Sequence, residues 1–98
     1  MAKLRIKEMT GKEIEMIRFK VMVFPDKGEK KGMAFKMGSN LRRSLKELRR
    51  VGFRVYRGLC AEMRNLSFYV FWLECPLEKK DLFKKTINCI AELKGIKS

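Results

Sequence analysis

The chain has 98 residues, 46% of them hydrophobic, enough for one domain around one core and too few for two, so residues 1–98 read as a single α+β domain. Its 24 basic and 11 acidic side chains leave a formal charge of +13, a self-repulsion that an anionic partner relieves, nucleic acid first and acidic protein or anionic lipid after it. With no histidine and no paired carboxylates on a common face, Ser-His, Cys-His and two-carboxylate chemistry are excluded, and no enzyme and no cofactor are expected.

The opening stretch MAKLRIKEMTGKE is charged where a signal peptide would be apolar. No run approaches the roughly 20 apolar residues of a membrane span, so a cytoplasmic protein with no membrane partner is expected. Leu4 and Ile6 alternate with charged residues as a short strand, and Thr10 and Gly11 mark a turn. Residues 14–24 then keep a period of two, with Ile17, Phe19, Val21 and Val23 on one side and Arg18, Lys20, Met22 and Phe24 on the other. Pro25 ends that strand.

PDKGEKKG reads as a basic, glycine-containing loop, and residues 33–37 as a brief extended piece. Ser39 or Asn40 is expected to cap a helix over residues 41–51, with Leu41, Leu45 and Leu48 as its buried stripe and Gly52 as its stop. Residues 53–59 and 66–75 read as a hairpin around a polar turn near Arg64 and Asn65, closed by Pro76. A second helix follows to about residue 94, with Leu82, Phe83, Thr86, Ile87, Ile90 and Leu93 inward and Gly95 at its end.

The order β-β-α-β-β-α predicts a two-layer sandwich: an antiparallel four-stranded sheet with both helices on one face, a ferredoxin-like plait in which the N-terminal strand replaces the last one. A second arrangement pairs residues 14–24 with 33–37 in a hairpin, leaving the first strand at an edge. In the first arrangement one sheet face is bare. Strand alternation puts Arg18, Lys20, Met22, Arg54, Tyr56, Phe68 and Trp72 on it, with Tyr69, Phe71 and Leu73 beneath the helices. Aromatic and basic side chains on an open sheet suit stacking of single-stranded bases, and an apolar patch there equally suits a protein partner or a homodimer. The stretch RNLSFYVF also resembles, in part, the first ribonucleoprotein consensus of RNA-recognition domains, with Asn65 where the consensus has glycine and Leu66 where it has an aromatic. That resemblance implies a stacking role for Phe68.

Six of the nine arginines fall within residues 42–57, where planar guanidinium forks suit phosphate better than lysine does. On the expected helix, Arg42, Arg43, Lys46, Arg49 and Arg50 occupy a sector of about 120°. Arg42 and Arg43 would stand in its first turn, where the macrodipole favours acids, and a bound anion would reverse that cost. Lys27, Lys30, Lys31 and Lys36 would lie within reach. The expected function is a small basic nucleic-acid-binding protein, RNA in preference to DNA, and the alternative is a protein-interaction module, inhibitor or assembly subunit, using the bare sheet face. Abundant Lys and Glu with no Gln and three Asn form a heat-tolerant, thermophile-like composition. Cys60, Cys75 and Cys89 lack the spacing of a metal site and are expected as small buried hydrophobes.

Overall fold

The computed structural model describes residues 2–9, 16–28, 30–64 and 66–97. The predicted turn at Thr10 and Gly11, the first two residues of the strand predicted over 14–24, Asn65 of the hairpin turn and the side chain of Lys31 lie outside the described residues. Strands β1 (Lys3–Met9) and β2 (Met16–Phe24) pair antiparallel, Leu4 opposite Val23 and Ile6 opposite Val21. β2 pairs in turn with β5 (Leu66–Pro76), whose far side carries β3 (Arg54–Val55) and β4 (Leu59–Met63). The antiparallel sheet thus has five strands, in the order β1-β2-β5-β3 with β4 also on β5.

Helices α1 (Lys31–Lys46) and α2 (Lys80–Leu93) share one core with one face of that sheet. Ala34, Leu41 and Leu45 from α1 and Phe83, Ile87 and Ala91 from α2 meet Ile17, Phe19, Val21, Val23, Tyr69, Phe71 and Leu73, and the Phe53 and Phe83 rings stack with centroids 4.2 Å apart. The inward and outward sets of β2 and β5 follow the predicted alternation, because the period of two survives burial of one face. Among the described residues no helix is long and apolar enough to cross a membrane.

Three local expectations are corrected. First, residues 33–37 are not extended: α1 starts ten residues before the predicted helix, so Ser39 and Asn40 lie inside it and the alternative 14–24/33–37 hairpin is excluded. The buried stripe is Ala34, Gly38, Leu41 and Leu45, a helical spacing whose second member is a glycine and so hides the period. Gly38 is there because α1 lies directly on Tyr69: a Cβ at this position would be 2.6 Å from the ring Cδ2 and 3.0 Å from the Tyr69 Cβ.

Second, the strand predicted over 53–59 is broken, which makes the sheet five-stranded instead of four-stranded. Val55 faces Leu73 and Leu59 faces Val70, so four steps on one strand match three on the other, the signature of a β-bulge. The bulge stays attached through the Tyr56 amide, which donates to the Trp72 carbonyl at 2.9 Å. Gly58 is needed within it, since a Cβ there would overlap the Tyr69 hydroxyl and ring. Third, Leu82 and Leu93 of the predicted inward set are 60% and 85% exposed. The stripe that reaches the sheet is narrower, Phe83, Ile87 and Ala91 with Ile90 packed beside it.

Gly52 and Gly95 end their helical segments as predicted, with φ of 114° and 81°. Beyond Gly95, Ile96 is buried, and Lys97 returns to the sheet in a single parallel bridge to β1. Its amide donates to the Ala2 carbonyl, and its carbonyl accepts from the Leu4 amide, both at 2.8 Å.

All three cysteines are free, and only Cys75 is buried; Cys60 and Cys89 are exposed, against expectation, because β4 lies beyond the cover of the helices and Cys89 is off the buried stripe of α2. Burial pushes the Cys75 thiol up from 9.0 to about 11, since desolvation penalises the thiolate. A thiol reagent applied near neutral pH is therefore expected to label two cysteines in the native protein and the third only after unfolding, as counted by intact mass. The folded pKa lies above the unfolded one, so the contribution to stability is complete below pH 9 and is lost as pH rises from about 9 to about 11. Cys75→Ala should flatten that part of a stability-versus-pH curve.

Candidate nucleic-acid interface

The early start of α1 reverses the electrostatic role of its arginines. Arg43 and Lys46 occupy the last turn, not the first, and Arg49 and Arg50 sit on the 3-10 turn Glu47–Val51 that continues the helix past a non-helical Leu48. Cations at a helix C-terminus are favoured by the macrodipole. The helix-start anion site expected at Arg42 and Arg43 therefore does not exist. What the fold builds instead is a cationic pole: Arg43, Lys46, Arg49 and Arg50 line one shallow depression of about 410 Å³, with Glu47 the only acid lining it among the described residues.

None of the four makes an ion pair among the described residues. The one hydrogen bond is from Arg43 Nη2, which donates to Asn40 Oδ1 at 2.8 Å. Lys46 and Arg49 also line a second depression with Phe53, Arg54 and Val55, so edge strand β3 brings Arg54 to the rim of this pole. Arg42 is drawn away from it. Its Nε donates to the Tyr56 carbonyl at 2.9 Å, so its guanidinium secures the bulge.

The predicted lysines divide. Lys30 precedes the helix and Lys27 lies in the turn before it, so both are at the opposite end of α1 from Arg43, about 20 Å away along the axis. They do not join the arginines. Lys36, exposed and seven residues before Arg43, lies on the same side of the helix two turns back and can extend the pole.

The bare sheet face is less open than its sequence implies. Phe68 is only 6% exposed, packed with Met22 and Val70 and with its ring centroid 4.9 Å from that of Phe24, so its ring is not presented for stacking. Tyr56 is engaged as well. Its hydroxyl donates to Glu74 Oε1, the Arg18 guanidinium lies over its ring at 5.2 Å, and Arg18 Nη2 is 3.6 Å from the same carboxylate oxygen. Trp72 is half-buried beside this cluster, opposite Lys20 in register. Of the three aromatics expected to stack bases, Phe68 is buried and Tyr56 is hydrogen-bonded, while Trp72 keeps part of its surface exposed.

The sequence reading missed the cations of β1. Their register sets Lys3 opposite Phe24, Arg5 opposite Met22 and Lys7 opposite Lys20, so all three share the helix-free face. The alternation KLRIK was the available signal, but nothing in it says which strand β1 pairs with. At the end of the sheet away from the arginine pole, Lys3, Arg5 and Lys97 line a groove of about 530 Å³ with Phe24 and Leu66.

These features define a two-layer α+β protein with a bare sheet face and a cationic pole at the C-terminal end of its first helix. No family model matches the chain, and no curated protein or solved structure matches it either.

Proposed function

We propose that the chain is a small nucleic-acid-binding protein of the cytoplasm, RNA in preference to DNA, gripping phosphates with Arg43, Lys46, Arg49 and Arg50 and extending its contact through Lys36 and Arg54. The observation that carries this reading is the convergence of four cations on one depression with, among the described residues, a single acid beside them and no ion pair. Such a cluster is neutralised most directly by a polyanion, whose released counterions drive binding. Because the pole is at the carboxyl end of the helix, no free amide assists. The grip belongs to side chains alone.

The preference for RNA rests on Trp72. A single strand offers unstacked bases as well as phosphates, and Trp72 stands among Lys20, Arg18 and Tyr56 on the bare face. As Trp72 is the sole tryptophan, its emission reports that face directly. Titration with a short single-stranded RNA is expected to quench it, while a duplex DNA held by phosphates leaves it nearly unchanged. In both titrations log affinity should fall linearly with log salt, by about 0.7 per phosphate neutralised on a single strand and 0.9 on a duplex. Weak binding that ignores salt would reject the proposal.

A second reading is favoured by one observation. The apolar cluster of Met22, Phe68 and Val70 on the bare face continues into Leu59, Met63 and Leu66, which are exposed, and contiguous apolar surface of this kind marks protein contacts. In that reading the chain is an interaction module.

A further inference from the structure

We infer that the outer edge of β4 is a self-association surface, through which two copies of this chain pair antiparallel along Leu59–Met63 about a two-fold axis at Ala61. The inference is independent of the phosphate-binding proposal.

The sheet protects its other outer edges and leaves this one open. An uncovered strand presents unpaired amides and carbonyls to any other strand, and natural sheets block such pairing with charges, bulges or covering segments. β1 carries Lys3, Arg5 and Lys7 and is bonded on its outer side by Lys97. Beside β3, the chain bulges and Arg42 occupies the Tyr56 carbonyl. β4 has β5 on one side and, among the described residues, no backbone partner on the other. Its sequence LCAEM contains no cation in a chain where 24 of 98 residues are basic. Arg57 and Arg64 stand just outside it and limit pairing to these five residues.

The occupant is argued from symmetry and charge. Two identical antiparallel neighbours in one sheet are related by an axis perpendicular to it, so the pairing must be centred on a residue. Centring at Glu62 would set two carboxylates opposite each other, which is unfavourable. Centring at Ala61 uses the whole strand and places Leu59 of each copy opposite Met63 of the other, on the bare face. These residues are 49% and 61% exposed in the single chain, and the pairing would bring them into cross-strand contact and join the two apolar clusters into one. A cation-rich partner strand would find no anionic row here, and each copy carries +13; the cation-free edge is where two such molecules meet with least repulsion.

The test uses the full chain without nucleic acid. Sedimentation equilibrium at rising concentration is expected to move the mass from 11.6 kDa toward twice that value, and added salt should strengthen the association by screening like charge, the opposite of its effect on nucleic-acid binding. Leu59→Lys with Met63→Lys, both at exposed positions, should leave the circular dichroism unchanged and abolish the dimer. In a Cys60→Ser, Cys89→Ser background, Ala61→Cys should form an intermolecular disulfide under mild oxidation, while Met63→Cys should not. A monomer at every concentration and salt would overturn the inference. So would a dimer undiminished by the two lysines, or cross-linking through position 63 but not 61.

Discussion

Replacing Arg43, Lys46, Arg49 and Arg50 together by alanine is expected to weaken binding of a short RNA about a thousandfold at moderate salt. Each charge-assisted bond to phosphate contributes on the order of 1 kcal/mol net, and about 4 kcal/mol corresponds to about three decades in affinity. The salt dependence should fall as well, by roughly 0.7 for each single-strand phosphate that the variant no longer neutralises. Folding should be unaffected, because none of the four is buried or ion-paired among the described residues, and relief of like-charge crowding offsets the missing interaction with the helix dipole.

Two controls separate this pole from its neighbours. Lys27→Ala with Lys30→Ala removes charge at the far end of α1 and should change affinity by less than roughly threefold, a general charge effect. Arg42→Ala should do the reverse of the quadruple variant: it frees the Tyr56 carbonyl and costs about 1 to 2 kcal/mol of stability, with little effect on binding. Filter binding and thermal melts read both. If the quadruple variant binds as tightly as the parent, or if the two lysines matter as much as the four pole residues, the pole is not the contact surface.

The contrast between Arg42 and Arg43 shows why the site was only half legible. The cluster itself is plain in the sequence, since six arginines in sixteen positions need no alignment to be noticed. Its chemistry depended on where the helix begins, and two local signals misled: Gly32 read as part of a loop, and Ser39 or Asn40 as a cap. Tertiary contact overrode them, because the glycine that breaks the apparent period is what lets α1 lie on Tyr69. The two faces of β2 and β5 were legible for the opposite reason. Alternation along a strand is set by the backbone pleat and needs no knowledge of neighbours. Register does need it, so neither the one-residue bulge at 56–58 nor the β1 cations facing Phe24, Met22 and Lys20 could be read from a single strand. The same limit applied to Phe68. Its outward direction was readable, but its burial depends on Phe24 arriving from β2.

Gly38→Ala is expected to lower the melting temperature by about 5 to 15 °C, although helix propensity alone predicts a gain of about 1 kcal/mol for this change in a helix interior. The added methyl would meet Tyr69 at 2.6 Å from Cδ2, 2.9 Å from Cγ and 3.0 Å from Cβ. These atoms are the root of the side chain, fixed to β5, and cannot swing aside as a flexible tip could. Helix α1 would have to lift from the sheet, loosening Leu41 and Leu45, which are fully buried, and overpacking of this kind costs about 1 to 3 kcal/mol. Gly58→Ala strikes the other end of the same ring, at the hydroxyl, and should destabilise by a similar amount while disturbing the bulge that Arg42 holds. One aromatic side chain thus sets both the seat of α1 and the offset between β3 and β4. Tyr69→Leu shortens the ring's reach, so Gly58→Ala should cost less in that background, with a coupling of about 1 kcal/mol or more in a double-mutant cycle. Additive effects would show that Tyr69 does not set the offset between β3 and β4, and a Gly38→Ala variant that melts higher than the parent would show that close approach to Tyr69 does not determine where the first helix sits.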